Sequence, residues 1–349
     1  MNNSDKPTVA LIFGGRGYEK DISVKSAEYV LSVLDRDKFR VFPIFIKDSG
    51  RWLTCYPSDS FISLGELTRE CAPAYSHDCG GVLTAGEFIK IDCAIPILHG
   101  NLGEDGVVQG ALENARIPYI GCDTVCGAVC SDKAFTKAVA ERLGIPVARY
   151  VSSRLGDDVQ TLILRVEREL GYPVFVKPTR LGSSIGASAA RDGTQLRAAL
   201  TRAIGLSPYI LIEELVSVGC ELECAYFSTS DERIISGVGG IEYSSGFYDF
   251  GAKYEKNSRT HLTDHAAVSD SVLHRVRKYS EALCLELKPR HLCRIDFFLT
   301  KTGDIIFNEI NTMPGFTASS LYPRLIERAG ISASDMFTLW VKDAILVGA

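Results

Sequence analysis

The sequence predicts an α/β protein whose first lobe is built on a parallel sheet and whose later lobes are α+β. Residues 8–15 are an apolar run ending in two glycines, residues 23–34 carry apolar side chains at helical spacing, and residues 39–46 form a second apolar run. Strand, glycine turn, helix and strand in this order begin an α/β unit with a parallel sheet. With 349 residues, the chain is long enough for two or three domains.

The next elements complete this first unit. Residues 91–98 are predicted as another buried strand, residues 107–114 as a helix, and residues 119–122 close the unit. Ligands of such sheets bind beyond the carboxyl ends of the strands. The glycine-containing turns after 8–15 and 91–98 are therefore candidate walls of a site.

The pattern changes from Lys133 onward. Helices at 134–143 and 162–170 precede a strand at 174–177, and strand-like runs at 222–227 and 234–241 lead into a long polar segment. These changes predict three lobes. The predicted lobes are 1–128, 129–218 and 219–349, with the polar segment 243–263 in the third.

Composition limits the possible partners and location. The chain has 38 Lys and Arg against 43 Asp and Glu, a net charge of −5, and 46% hydrophobic residues, which is typical of a folded protein. It contains no apolar run near the ~20 residues that cross a bilayer, and its polar start is unlike a signal peptide. We therefore expect a cytoplasmic protein with neither membrane nor nucleic acid as its partner.

The cysteines are predicted to be free thiols. Their number, 11, is odd, which suits a reducing compartment. Cys122, Cys126 and Cys130 follow one another at intervals of four, so they are predicted to share a helix face. No histidine is near enough to complete a metal site, and buried cysteines usually behave as small hydrophobic residues.

A glycine and serine loop follows the strand at 174–177. Lys177 precedes Gly182, Ser183 and Ser184, so backbone N–H groups, hydroxyls and one ammonium group could hold a phosphate. A solvated hairpin is an equally good local interpretation. The Gly14-Gly15 pair lacks the spacing of a dinucleotide-binding turn, which leaves a nicotinamide-dependent oxidoreductase as a remote alternative.

Residues 293–311 contain the strongest chemical signal. Two alternating apolar runs flank Thr302-Gly303, which is predicted as a two-residue hairpin turn. That register places Asp296 opposite Glu309, and Arg294 opposite Asn311, on one face of the sheet. Carboxylate and amide oxygens at such spacing suit Mg²⁺ or Mn²⁺. The alternative is a carboxylate cluster on a solvent face, neutralised by the arginine. The turn after Asn311 has N–H groups that could stabilise an oxyanion.

Taken together and in this order, the motifs resemble those of the D-alanine–D-alanine ligase family, a group of ATP-grasp enzymes. They extend over nearly the whole chain. The matching motifs are Gly14-Gly15 with Glu19, His99-Gly100 with Gly103 to Gly106, Ser131-Asp132-Lys133, Lys177-Pro178 with Gly182-Ser183-Ser184, Phe247-Tyr248-Asp249 with Lys253-Tyr254, Arg294 with Asp296, and Asn308-Glu309 with Asn311 and Gly315.

The resemblance implies a three-lobed ATP-grasp fold and an ATP-dependent ligase that joins two D-alanines through D-alanyl phosphate for peptidoglycan synthesis. It also implies ATP as a substrate, two Mg²⁺ (or Mn²⁺) ions in each site, a homodimer, and a lid formed by residues 243–263. The implied ATP-binding residues are Lys133, Lys177, Ser184, Glu213, Glu221 and Lys253. The implied metal ligands are Asp296, Glu309 and Asn311. The implied catalytic residues are Glu19, Ser183, Tyr254, Arg294, Gly315 and Ser320, and the implied substrate-binding residues are His99, Tyr248 and Leu321.

Some positions depart from the family pattern. Gly17, Leu181 and Ser319 stand where Ser, Glu and His are usual. Residues 121–124 and 244–247 resemble relatives that make D-alanyl-D-serine or D-alanyl-D-lactate, and such a ligase is the alternative. Tyr248 and Leu321 favour D-alanine as the second substrate. A non-catalytic nucleotide-binding regulator is a more remote alternative.

Overall fold

The structure, a computed structural model, describes residues 6–54, 72–243 and 260–348. Within these ranges it contains three β-sheets with helices packed on them. None of the helices in the described ranges is both long and apolar enough to cross a membrane. The predicted division into α/β and α+β parts is confirmed, whereas the lobe boundaries remain predictions.

The first sheet has the strand order β6-β5-β4-β3-β2-β1-β7. Strand β1 is parallel to both β2 and β7, as predicted, and the remaining pairs are antiparallel. The elements are β1 (Thr8–Gly14), α1 (Lys20–Val33), β2 (Arg40–Ile46), β3 (Trp52–Thr54), β4 (Ala72–His77), β5 (Gly81–Thr84), β6 (Glu87–Lys90), β7 (Cys93–Pro96) and α2 (Val107–Asn114).

The second sheet is antiparallel, in the order β10-β9-β11-β8, and α5 and α6 pack on it. Its core is formed by buried aliphatic side chains such as Val166, Leu196 and Ile212. The elements are α3 (Thr124–Ser131), α4 (Lys133–Arg142), β8 (Tyr150–Arg154), α5 (Val159–Glu169), β9 (Val174–Pro178), β10 (Ser188–Ala190), α6 (Gly193–Ile204) and β11 (Tyr209–Glu214).

The third sheet is also antiparallel, in the order β14-β13-β12-β15-β16. Leu222 and Ile295 pack with Val276 of α7, so the alternate positions of β12 and β15 point to the opposite face. The elements are β12 (Val218–Ser228), β13 (Arg233–Tyr243), β14 (Thr260–Thr263), α7 (Asp270–Leu287), β15 (Leu292–Thr300), β16 (Ile305–Asn311), α8 (Leu321–Arg328) and α9 (Ala333–Val347).

The described cysteines are free thiols, as predicted. Cys122, Cys126 and Cys130 are buried in one apolar cluster, which confirms their interpretation as small hydrophobic residues. The predicted shared helix face is wrong in one respect. Cys122 precedes the start of α3, because Asp123 caps this helix by accepting a hydrogen bond from the backbone N–H of Cys126.

Candidate active site

Three carboxylate side chains lie side by side on one face of the third sheet. Glu223 of β12 pairs with Asp296 of β15, and Asp296 pairs with Glu309 of β16. Directly opposed residues of neighbouring strands have Cβ atoms about 5 Å apart, where like charges repel. The predicted pairs Asp296–Glu309 and Arg294–Asn311 are confirmed. Glu223 extends the row by one strand.

The β15–β16 hairpin has the predicted register at Asp296, but its turn differs from the predicted turn. The predicted two-residue turn is wrong, because Thr300 and Asp304 close a turn of three residues in which Gly303 has a φ of +89°. The register then shifts by one at Asn308, which forms a bulge in β16. A bulge changes the direction of side chains, and here both Asn308 and Glu309 line the cleft.

Arg294 neutralises much of this acidic row. Its Nε and Nη2 donate to the two oxygens of Asp296, both at 2.7 Å, and its Nε lies 3.2 Å from Oε2 of Glu223. Nδ2 of Asn311 donates to Asp296 Oδ2 at 3.0 Å. Burial acts to lower the pKa of the Arg294 guanidinium, but the carboxylates of Asp296 and Glu223 outweigh it and hold that pKa well above its usual value.

The donor atoms fit a hard divalent cation. Asp296 and Glu309 offer carboxylate oxygens and Asn311 offers an amide oxygen, which are the ligand types that Mg²⁺ and Mn²⁺ prefer. In the structure, Arg294 and Lys133 supply the positive charge beside these oxygens. The predicted alternative of a solvent-facing cluster does not hold, because Asp296 is buried and these acids face a cleft.

The second lobe provides lysines that face the acidic row. Lys133 Nζ lies 3.0 Å from Glu309 Oε2, and Lys177 Nζ lies 2.8 Å from Glu213 Oε2. Lys137 contacts the other oxygen of Glu213 at 2.7 Å. Burial lowers the pKa of Lys177. Burial acts on Lys133 in the same direction, but the carboxylate of Glu309 prevails and raises the pKa of Lys133.

A cleft of about 440 Å³ separates the second and third sheets. Most of the predicted nucleotide and metal residues meet there, with Lys133 and Lys177 on one wall and Asp296 and Glu309 on the other. Asn311 lines a smaller cavity of about 30 Å³ that shares Lys133 and Glu309 with the cleft. The predicted residues that line the main cleft are Lys133, Lys177, Ser183, Ser184, Glu213, Glu221, Arg294, Asp296 and Glu309.

The glycine and serine loop forms one side of this cleft. Ser183 and Ser184 have φ values of +51° and +58°, a conformation that non-glycine residues adopt rarely. Contacts on either side hold the loop, since Lys133 Nζ donates to the Leu181 carbonyl at 2.9 Å and Arg180 pairs with Asp132 at 2.8 Å. Successive residues in such a turn conformation can direct their backbone N–H groups toward an anion.

Glu19 of the first lobe reaches the same loop. Ser183 Oγ donates a hydrogen bond to Glu19 Oε1. The carboxylate of Glu19 packs against two glycines, and a Cβ atom at Gly100 would collide with its Oε2, while one at Gly182 would lie 3.2 Å from the same oxygen. A glycine at position 100 therefore makes room for the acid beside the loop.

His99 joins the first lobe to the turn after β16. Its Nδ1 lies 3.0 Å from the Met313 carbonyl oxygen, which can only accept, so Nδ1 carries the proton. Its Nε2 then accepts from Ser26 Oγ at 2.9 Å. Burial lowers the pKa of His99. His99 is therefore a neutral side chain that holds the turn in place.

Gly315 and Ser320 lie together ahead of α8. Thr317 N–H donates to Ser320 Oγ at 2.9 Å, and a Cβ atom at Gly315 would lie 3.1 Å from the same oxygen. Leu321, the first residue of α8, is buried in the core. It packs against Gly239 of β13, where an added Cβ atom would lie 3.5 Å from Cδ1 of Leu321.

Three predicted site residues, Tyr248, Lys253 and Tyr254, lie outside the described residues, as does most of the predicted lid 243–263. The sequence interpretation also missed residues that the structure brings to the site. Glu223 lies two residues after Glu221 on one strand, and Lys137 lies one helical turn after Lys133. Side chains at these spacings share a face of their element, so both residues could have been found from their spacing to a predicted site residue.

Glu104 is another acid that the residue assignments missed, although it lies in a quoted motif. It is half-buried, and its carboxylate accepts a hydrogen bond from the Gly100 N–H at 3.1 Å. Burial and the nearby charge of Glu19 raise the pKa of Glu104 to about 8. A protonated Glu104 adds no negative charge beside Glu19 at neutral pH.

Comparisons with known proteins agree with this architecture. Residues 8–122 match the family described as D-ala D-ala ligase N-terminus, and residues 139–342 match D-ala D-ala ligase C-terminus. The chain is 38% identical to a D-alanine–D-alanine ligase of Acetivibrio thermocellus, covering 95% of this chain and 94% of that one. It is 34% identical to D-alanine–D-alanine ligase A of Chromobacterium violaceum, covering 98% and 96% of the two chains.

Solved structures give a similar result. The VanG D-Ala:D-Ser ligase of Enterococcus faecalis superposes with a TM-score of 0.86 at 32% identity, covering 99% of this chain and all of that one. The D-alanyl-alanine synthetase A of Vibrio cholerae also gives a TM-score of 0.86, at 29% identity, covering 98% and 99%. Both types of acceptor specificity thus occur among proteins that are similar to this chain.

Proposed function

The chain belongs to the D-alanine–D-alanine ligase family, and we propose that the cleft between its second and third sheets is where it performs the family's reaction. It is an ATP-dependent ligase that joins two D-alanines to D-alanyl-D-alanine, the dipeptide used for peptidoglycan precursors. The observation that carries the proposal is the row of Asp296 and Glu309, which faces Lys133 and Lys177 across a cleft of about 440 Å³.

The reaction needs charge neutralisation more than a protein nucleophile. A carboxylate oxygen of the first D-alanine attacks the γ-phosphorus of ATP, ADP leaves, and D-alanyl phosphate forms. Lys133 and Lys177 supply positive charge for the phosphates, and the N–H groups of the loop at Ser183 and Ser184 add hydrogen bonds. Phosphoryl transfer depends on such positioning and electrostatic stabilisation. Glu213 of the second sheet and Glu221 of the third line the same cleft and would lie around the adenosine.

Asp296, Glu309 and Asn311 are the residues that would hold Mg²⁺ or Mn²⁺, with two ions in each site. Bound there, the ions would neutralise charge on the β- and γ-phosphate oxygens. The need for a divalent metal follows from the family, and the ion type and number are part of the proposal. The ion pairs Lys133–Glu309 and Arg294–Asp296 support this part of the proposal. They show that both carboxylates already attract positive charge in the cleft.

The first lobe supplies the subsite for the first D-alanine. Glu19 provides a carboxylate for the ammonium group, next to Ser183, and neutral His99 lies nearby. In the second step the amine of the other D-alanine attacks the acyl carbon, negative charge develops on its oxygen, and phosphate leaves. Arg294 and the N–H of Gly315 stabilise that oxyanion. Ser320 Oγ donates a hydrogen bond to the carboxylate of the second amino acid.

The remaining features of the proposal concern the second subsite and the closed state. Tyr248 and Leu321 favour the methyl side chain of D-alanine, and Lys253 and Tyr254 belong to a lid, residues 243–263, that excludes water from the acyl phosphate. The protein acts as a homodimer in the cytoplasm. The candidate that it makes D-alanyl-D-serine instead is supported by its likeness to VanG.

Product analysis tests the function directly. The chain is supplied with ATP, Mg²⁺ and equal amounts of D-alanine, D-serine and D-lactate, and the products are identified by mass spectrometry. We expect ADP, phosphate and mainly D-alanyl-D-alanine. A predominance of D-alanyl-D-serine would overturn the acceptor assignment, and nucleotide binding without any phosphate release would favour a non-catalytic regulator.

Substitution of the acidic row tests the site. Asp296→Asn and Glu309→Gln each remove one metal-binding charge, so we expect ADP release with D-alanine to fall by more than about 100-fold. Asp304→Asn, in the exposed turn of the same hairpin, is the matched control and retains activity. Full activity of both site variants would contradict the metal assignment.

A further inference from the structure

Glu223 is a member of the acidic row to which the ligase reaction assigns no step. It is buried, on β12, directly beside Asp296 of β15, and its Oε2 lies 3.2 Å from Nε of Arg294. We propose that Glu223 is a positioning residue that holds the Arg294 guanidinium when a divalent cation takes Asp296. Arg294 then stays directed at the substrate instead of competing with the cation. This inference rests on the proposed function.

Asp296 has both carboxylate oxygens engaged. Oδ1 accepts from Nε of Arg294, and Oδ2 accepts from Nη2 of Arg294 and Nδ2 of Asn311. A divalent cation seeks the same lone pairs and repels the guanidinium at so short a distance. Binding of a cation to Asp296 therefore requires Arg294 to loosen its hold.

The neighbours of Asp296 differ on its two sides. Strand β15 lies between β12 and β16, so Glu309 is on one side of Asp296 and Glu223 is on the other. Lys133, which lies 3.0 Å from Glu309, is on the side of β16. The proposed metal ligands thus occupy one side of Asp296, and the second carboxylate within reach of Arg294 occupies the opposite side.

Burial makes this second carboxylate important. The side chain of Arg294 is only 19% exposed, and a guanidinium in such a place is costly without a carboxylate beside it. While Asp296 is shared with a cation, Glu223 can supply that charge from 3.2 Å without a large movement. Without Glu223, Arg294 keeps only its ion pair with Asp296 in the described part of the chain, and the cation has to displace the guanidinium from that partner.

The test uses the full chain with ADP and Mn²⁺, and free Mn²⁺ is measured by electron paramagnetic resonance. Glu223→Gln keeps the size and removes the charge, so we expect the dissociation constant of Mn²⁺ to rise about 10-fold, as for other residues that orient metal ligands. At saturating Mn²⁺ we expect kcat to fall also, because the displaced Arg294 then has no carboxylate beside it to keep it directed at the oxyanion. The KM for the D-alanine bound near Glu19 should stay at its wild-type value.

Asp304→Asn is the matched control, since it neutralises an acid of the same β15–β16 hairpin without contacting Arg294, and it should bind Mn²⁺ like the wild type. Should Glu223→Gln fail to fold, Glu223→Thr removes the same charge with a residue that strands accommodate well. Wild-type Mn²⁺ affinity in the folded variant overturns the proposal, even if activity is lost. Mn²⁺ binding is measured without turnover, so a wild type that makes no dipeptide would overturn the proposed function and leave this test intact.

Discussion

Glu213 shows how single residues support the wall of the cleft that the second sheet forms. Its two oxygens are divided between two lysines, Lys137 at 2.7 Å and Lys177 at 2.8 Å. Burial alone would raise the pKa of this carboxyl group, but Lys177 and Lys137 outweigh it and hold the pKa below its usual value. Lys137 is only 1% exposed, so it acts through Glu213 and not through contact with a ligand.

Replacement of Lys137 by Met tests this arrangement. Met fills similar space without the charge, and Glu213 keeps only Lys177 as its cationic partner. Breaking a buried ion pair in this way is strongly destabilising, so we expect the free energy of unfolding to fall by about 3 kcal/mol. Urea denaturation followed by circular dichroism measures it.

Lys38→Met is the control for this prediction. Lys38 pairs with Asp35 at 2.8 Å on the surface, where half of its side chain is exposed. Exposed pairs contribute about 0–1 kcal/mol, so the control should cost little. If Lys137→Met and Lys38→Met lowered the free energy of unfolding equally, the buried ion pair of Lys137 with Glu213 would contribute no more than an exposed one.

Among the elements, the β15–β16 hairpin explains which features the sequence could predict. Alternation of apolar and polar residues was enough to pair Asp296 with Glu309, because that pairing is a property of the two strands near the site. The turn length was not predictable in the same way, since a three-residue turn and a bulge at Asn308 compensate each other. The extra residue in the turn and the extra residue in the bulge shift the register by one in opposite directions. The part of the hairpin that carries Asp296 and Glu309 therefore has the predicted register.

The antiparallel strands β3 to β6 were not predicted, for a different reason. They are short, and β4, β5 and β6 bury few apolar side chains, such as Ala74, Val82 and Ile89. Their alternation is therefore too brief to separate them from loops. The predicted strand 91–98 was too long, because burial of Ile91 and Leu98 continues beyond the paired residues of β7.

Gly303 gives an element-scale prediction. Its φ of +89° lies where β-branched residues are rare, so Gly303→Val should destabilise the protein by about 1–2 kcal/mol. The space around a Cβ atom there is open, so backbone strain is the only expected cost. Thermal unfolding measures the effect, and ligase activity at low temperature should be retained.

Gly237→Ala is the matched control for the turn. Gly237 lies in β13 with open space around a Cβ atom and without a positive φ. Ala there should leave stability unchanged or raise it slightly, by about 0.5 kcal/mol. A Gly303→Val variant as stable as the wild type would contradict the assigned turn.

On the scale of the whole molecule, contacts between distant segments bring the site together. One apolar core contains Leu11 of β1, Phe227 of β12 and Trp340 of α9, so the first and third sheets share buried surface. A hydrogen bond from Ser183 Oγ to Glu19 then links the first lobe to the loop of the second. Sequence periodicity cannot predict such contacts, because it reports which face of an element is buried and not which partner covers it. The ordered motifs of the family supplied that information instead.

A buried histidine also joins these parts of the chain. His291 accepts at Nδ1 from the Gly121 N–H at 3.0 Å, so its Nε2 carries the proton and donates to Asp343 Oδ2 at 3.1 Å. Arg290 reaches the Gly121 carbonyl from the same side at 3.0 Å. Burial, together with the positive charge of Arg290, lowers the pKa of His291 to about 4.

This neutral histidine predicts how stability depends on pH. The unfolded chain binds a proton at His291 near pH 6.5, whereas the folded chain binds it only near pH 4, so stability falls as the pH drops through that interval. The loss reaches about 3 kcal/mol, and above pH 6.5 this group has no further effect. Burial acts to raise the pKa of its partner Asp343, but the hydrogen bonds from Ser230 and His291 outweigh burial and hold that pKa below its usual value.

Urea denaturation of the wild type and of His291→Gln at pH 7.5, 6.0 and 4.5 measures this dependence. Gln cannot titrate, so the stability advantage of the wild type should shrink steadily as the pH falls. His99, which is also buried and has a lowered pKa, is present in both proteins and cancels in their difference. Parallel pH profiles for the two proteins would mean that His291 takes up its proton at the same pH in the folded and unfolded chains, which is incompatible with the hydrogen bond that its Nδ1 accepts from Gly121.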